Sequence, residues 1–287
     1  MGSAAGPATG QRTIRLLDYD PALGATLRPE RRVEARERAI APVVEVAVGT
    51  RTAGELAGGT RPAYGVLVLD GLANRTLALD GVVSAQLVGP GDLLCVDDGG
   101  NDGLVATATR WTVLEPLTVA LLDERFLLTV QRWPELVAAL FARVAAQEER
   151  REVHRALAQL PRVEDRVQAL MWLLAERWGR MTPHGVVLRL RLTHELIGQL
   201  VGAKRPTVSL ALKALEERGV VRRRDDGGWL LEHASDPRAT GDPEAAAHVA
   251  QARSSSAARS RTRRAISSPQ PRSTTAAGRG CSPRTSW

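Results

Sequence analysis

Lys204, Arg205, Thr207, Ser209 and Lys213 lie within ten residues of one another. An arginine can donate to guanine O6 and N7 together, and hydroxyls and ammonium groups suit phosphate oxygens. Only two of the 39 basic residues are lysines, and both fall in this cluster. The surrounding stretch, Leu192 to Leu231, predicts the frame that positions them. Thr193 is an N-cap candidate for a short helix from His194 to Val201, with Leu196, Ile197 and Leu200 facing inward. Gly202 permits a sharp turn. Pro206 suits the first turn of a second helix that runs to about Arg218, with Gly219 as its stop. Val208, Leu212 and Leu215 face its core, which leaves the polar cluster at the exposed N-terminal side. A helix enters the major groove by that end.

Two predicted strands follow, Val220 to Arg224 and Gly228 to Glu232, joined by Asp225-Asp226-Gly227. They form a wing that sets Arg222, Arg223 and Arg224 along a nucleic-acid backbone. Gly185 to His233 holds nine basic and six acidic residues, a net charge of +3. His194 and Thr193 complete the predicted contact set beside the helix start.

Upstream the pattern changes twice. From about 40 to 122, short apolar stretches alternate with turn signals. Strands are predicted over Val43–Val48, Tyr64–Leu69, Thr76–Leu79, Val82–Val88, Val105–Thr109 and Leu117–Leu122. Asp70-Gly71, Asp80-Gly81, Gly89-Pro90-Gly91-Asp92 and Asn101-Asp102-Gly103 lie between them as turns. This spacing implies an antiparallel barrel or sandwich. After Asp123 come a short helix ending before Pro134, a long helix from Glu135 to Leu160, and another from Val163 to Trp178. The long helix either lies on its own barrel or forms a dimer seam. A short strand is predicted over Val186–Leu190. Residues 1–29 read as a flexible leader with one short strand, Thr13 to Leu17.

The stretch Leu192 to Ser209, L-T-H-E-L-I-G-Q-L-V-G-A-K-R-P-T-V-S, resembles the helix-turn-helix of the cyclic-AMP receptor protein/FNR (Crp/Fnr) family of bacterial transcription regulators. The segment Val66 to Leu94, with "LDG" and "VGPGDLL", is similar to that family's β-roll. The resemblance covers roughly 40–233 and implies an α+β fold; with the composition of the two ends, five parts are expected. These are the leader (1–29), an antiparallel β-roll sensor resembling a cyclic-nucleotide-binding jelly roll (30–131), a dimerisation helix (132–160), a winged helix-turn-helix (161–236) and a disordered basic tail (237–287). It also implies double-stranded DNA, a second copy of the chain through 135–160, and RNA polymerase as partners. Carried over by position, Arg205 matches the family's principal base-reading arginine, and Thr193 and Thr207 match phosphate-contacting positions. Two departures follow: the family's acidic residue after that arginine is Pro206 here, and its second reading arginine is Leu210. The operator is therefore expected to differ from that of the cyclic-AMP receptor.

The sensor end lacks the expected phosphate-holding pair, since Ala106 and Thr107 stand at the arginine–threonine positions and Val96 stands near the ribose-binding glutamate. No cyclic-nucleotide binding is expected. An effector pocket near Thr107 and Arg110 is a candidate, with the effector unknown. Cys95 and Cys281 are too few for a cysteine cluster, and Cys95 is expected to be a small buried residue. No histidine precedes His154, so neither a metal nor a cofactor is predicted. Enzyme motifs such as G-x-S-x-G, Walker A and H-E-x-x-H are absent.

The overall charge of +7 comes from the tail. Gln251 to Trp287 carries eight arginines and no acid, and the rest has 31 basic against 32 acidic residues. No apolar run is long enough for a membrane span, so no membrane partner and a cytoplasmic setting are expected. The competing reading is a ligand-binding β-roll that acts through protein–protein contacts.

Overall fold

The computed structural model describes residues 12–60, 64–95 and 107–232. The expectations for the start of the leader, the Asn101 turn and the tail fall outside these residues.

The N-terminal half is one antiparallel sheet in the order β1-β2-β7-β4-β5, with β3 attached to β7 and β6 to β4. Its strands are β1 (Thr13–Arg15), β2 (Ile40–Val46), β3 (Gly49–Arg51), β4 (Val66–Leu79), β5 (Val82–Val88), β6 (Leu93–Leu94) and β7 (Thr107–Leu121). Two strands are longer than the turn signals predicted. Asp70-Gly71 is not a hairpin turn; β4 continues through it, and its register against β7 shifts between Val68 and Ala73. The shift is a bulge. Before it Val66 and Val68 face the roll interior, and after it Ala73 does, so the inward phase moves from even to odd positions. Gly71 has φ of 89°, and a Cβ there would lie 2.1 Å from the Pro116 carbonyl oxygen. Pro116 lies across from this bulge on β7, where a residue without an N–H is tolerated. The expected strands over Thr109 and Leu117 are thus parts of one strand, β7.

The second half of the expected leader is part of the fold. Residues 12–29 contribute β1, a helical turn α1 (Leu16–Tyr19) and a 3-10 turn at Pro21–Gly24. Their Ile14, Leu16, Leu17, Leu23 and Leu27 are buried against Phe126, Val130, Trp133, Leu136 and Leu140. These apolar residues follow neither a helical nor a strand period, because they span three different backbone states. Helix α2 (Pro29–Arg38) was also not expected. It has proline in its first turn and arginines in its last, but buries only Ala35, so its apolar stripe is faint. A short α3 (Ala53–Leu56) carries a capping box between Thr52 and Glu55.

Helices α4 (Glu124–Val130) and α5 (Pro134–Ala158) leave the roll. The Asp123 carboxylate caps α4 by accepting from the Phe126 N–H at 2.8 Å. At 25 residues, α5 is about 37 Å long. One face lies on the roll and the N-terminal segment through Leu136, Leu140, Arg143, Gln147 and Arg150. Gln147 is buried, and its Oε1 accepts from the Leu93 N–H at 3.1 Å. The other face presents Phe141, 71% exposed, with Ala138, Ala142 and Ala145 also exposed.

The C-terminal half comprises α6 (Val163–Trp178), β8 (Gly179–Thr182), β9 (Gly185–Leu188), α7 (His194–Val201), α8 (Arg205–Glu217), β10 (Val221–Arg223) and β11 (Trp229–Leu231). Its four strands form a second sheet in the order β10-β11-β9-β8. β8 was not expected; it carries little apolar signal and pairs with β9 from Gly179↔Leu188 to Thr182↔Gly185. The core of this half also takes in Leu72, Ala85 and Leu87 from the outer face of β4 and β5.

Candidate nucleic-acid interface

The turn between α7 and α8 is built as its residues predict. The Thr193 hydroxyl accepts from the Leu196 N–H at 3.1 Å and caps α7. Gly202 closes that helix in the left-handed conformation, with φ of 66°. Pro206 lies in the first turn of α8, whose buried face is Val208, Ala211, Leu212 and Leu215. Lys204, Arg205, Thr207 and Lys213 are exposed, and Ser209 is half-buried. Among the described residues, no ion pair engages Lys204 or Arg205. Lys213 reaches Glu217 at 3.8 Å, on the same exposed face.

A groove of about 490 Å³ opens beside this surface, lined by Thr193, His194, Arg205, Ser209, Arg223 and Trp229 among others. Its hydrogen bonds set the state of His194. The Ser209 hydroxyl donates to the Arg205 carbonyl at 3.1 Å. It therefore accepts from His194, whose Nδ1 lies 2.8 Å away. The His194 pKa is lowered from its ordinary value, first by burial and then by the positive charges of Arg223 and Arg205. At neutral pH the ring is thus uncharged, with its proton on Nδ1.

The wing arginines are more engaged than expected. Arg222 pairs with Glu232 at 2.9 Å, and Arg224 pairs with Asp226 at 3.2 Å. Arg223 donates to the Leu192 carbonyl at 3.2 Å and stacks over Trp229 at 4.5 Å. It braces the wing against the loop before α7. The free cations therefore belong to the start of α8 rather than to the wing. Trp229 was not singled out in the sequence, because its role exists only once β11 brings it under Arg223.

The sensor-side candidates are placed differently. Thr107 is half-buried and Arg110 is exposed, opposite Leu79 and Thr76 near the far end of β4. Neither lines the groove. Cys95 is exposed rather than buried. It follows buried Leu94 at the end of β6, so strand alternation turns its side chain to the other face.

Among the described residues, polar contacts tie the β-roll and α5 to the helices that follow. Asp92, 1% exposed, receives Arg150 of α5 at 3.0 Å and Arg177 of α6 at 2.6 Å. Its Oδ2 also accepts from the Gly89 N–H at 3.0 Å. His154 of α5 donates from Nε2 to the Leu200 carbonyl of α7 at 2.7 Å. Arg166 of α6 donates to the Leu160 carbonyl at 2.5 Å and to the Val201 carbonyl at 3.4 Å.

A β-roll, a long helix and a winged helix-turn-helix follow one another in this order. Residues 165–236 match the family model of the Crp-like helix-turn-helix domain. A cyclic nucleotide-binding domain containing protein from Listeria monocytogenes EGD-e superposes with a TM-score of 0.57 at 16% identity, covering 76% of this chain and 99% of that one. A variant of CooA from Carboxydothermus hydrogenoformans superposes with a TM-score of 0.53 at 18% identity, covering 69% and 85%. At these identities the superpositions establish the fold. No curated protein matches the chain. Residues 165–236 form a Crp-like helix-turn-helix domain, and the chain shares the fold of these two structures. No helix among the described residues is long and apolar enough to cross a membrane.

Proposed function

We propose that this chain is a sequence-specific transcription regulator that binds double-stranded DNA as a homodimer, inserting α8 into the major groove. The carrying observation is the N-terminal end of α8, where Lys204, Arg205 and Thr207 stand exposed next to an α7 capped by Thr193 and closed by Gly202. Arg205 reads a guanine; Thr193, Thr207, Lys204 and Lys213 hold phosphates. The exposed face of α5 around Ala138, Phe141, Ala142 and Ala145 is part of the dimer seam, which spans 135–160. A two-fold axis there sets two half-sites roughly 34 Å apart. The regulator works without a cyclic nucleotide, because Ala106 and Val96 stand where the family has its phosphate-holding arginine and ribose-binding glutamate. Contact with RNA polymerase belongs to the same proposal and is read out by transcription from a promoter carrying the operator.

The test is selection of binding sites from random duplex DNA with the full chain. A two-fold symmetric enriched sequence is expected, bound more weakly as salt rises. Arg205→Ala should cost about 1–3 kcal/mol and relax one base position. A uniform loss over all sequences would make Arg205 a phosphate contact only. Failure to enrich any sequence would favour the protein-docking reading instead.

A further inference from the structure

The outward face of α8 is not uniformly polar. Its buried residues are Val208, Ala211, Leu212 and Leu215. At about 100° per residue, the opposite side belongs to Pro206, Leu210, Lys213 and Glu217, all exposed. Leu210 is 70% exposed, and one turn beyond it Lys213 and Glu217 face each other at 3.8 Å. The side of the helix aimed away from the protein thus begins with an apolar strip, Pro206 and Leu210. The strip is flanked by Arg205 and Ser209 on one side and Thr207 on the other.

This strip lies inside the proposed DNA surface. On the major-groove edges of the bases, the apolar group is the C5-methyl of thymine. The other edges offer donors and acceptors that a leucine would desolvate without a hydrogen bond in return. We infer, resting on the DNA-binding reading above, that Leu210 is a specificity-determining residue that selects thymine by packing on its methyl group. Five residues after Arg205, it lies about 7.5 Å further along the helix, so it meets a different base pair from the one Arg205 reads.

The experiment uses the full chain and the duplex selected from random DNA. Each thymine of a half-site is replaced in turn by deoxyuridine, which removes the methyl and leaves the pairing unchanged. One thymine per half-site should respond, with binding about three- to tenfold weaker. Leu210→Ala should bind the thymine and uracil duplexes equally and lose preference at that base pair. The substitution is on an exposed helical position, so the fold is retained; circular dichroism and an unchanged response to Arg205→Ala confirm this. An Arg205-dependent enriched sequence with no uracil effect overturns the inference and leaves the regulator reading standing. A uracil effect that persists in Leu210→Ala also overturns it and assigns the methyl to another residue. No enriched sequence at all overturns both.

Discussion

Two regions of the molecule use arginines in opposite ways. Where the β-roll meets its N-terminal segment, α5 and α6, several guanidinium groups turn inward. Arg143 meets Asp20 at 2.6 Å, and Arg150 and Arg177 converge on buried Asp92. Arg75 lies over Trp111 at 5.6 Å, where burial and then Arg151 pull its pKa below the usual guanidinium value. At the start of α8, Arg205 and Lys204 are left in solvent. The wing is intermediate, with Arg222 and Arg224 paired to neighbouring acids. A cation count therefore says little about where a polyanion binds; what matters is which cations remain without a carboxylate of their own.

The contrast can be broken at its strongest inward contact. Asp92→Ala leaves two guanidinium groups facing a vacated carboxylate site, and should lower stability by about 3 kcal/mol. Urea unfolding followed by tryptophan fluorescence would show the midpoint fall. Arg205→Ala, on the outward side, should leave that midpoint in place while weakening operator binding. If Asp92→Ala does not move the midpoint, the junction of β-roll, α5 and α6 does not depend on this contact.

A smaller effect sharpens the account of the winged half. Thr193→Ala removes the cap of α7 and should cost about 1 kcal/mol, whereas Thr193→Ser should restore most of it. Equal losses in the two variants would show that the methyl group, not the hydroxyl, does the stabilising.

The smallest expected effect concerns His194. Its folded pKa is below the ordinary value of 6.5, so below that pH the unfolded chain takes up the proton first. The neutral ring's contribution to stability is therefore present above about pH 6.5 and is lost as pH falls below it. A proton NMR titration should place its midpoint under 6.5. Arg223→Ala should raise that midpoint only part of the way, since burial is the larger cause. A midpoint at or above 6.5 would mean that the groove does not shield the ring.

The legibility of the two halves follows from the range of their contacts. Helices α6 and α7 begin and end where caps and periodicity place them, and α8 and the wing differ from expectation by only a residue or two at each end. Each is specified by residues close in sequence, such as Thr193 with Leu196 or Gly202 after Val201. The β-roll was legible as a kind but not in detail. Asp70-Gly71 has the composition of a turn and acts as a bulge, because β7 brings Pro116 against Gly71 from 45 positions away. Residues 12–29 looked like a leader because their apolar side chains follow no single period.

The sequence by itself determined the helix-turn-helix, its cap, its turn and the identity of the exposed residues on α8. These depend on backbone preferences and on the 3.6-residue period, which are local properties. The tertiary structure alone decided which arginines are free. It placed Glu232 by Arg222, Trp229 under Arg223, and Asp92 between Arg150 and Arg177. Whether a charge is paired depends on which distant side chain the fold brings within about 4 Å, and no local pattern records that distance.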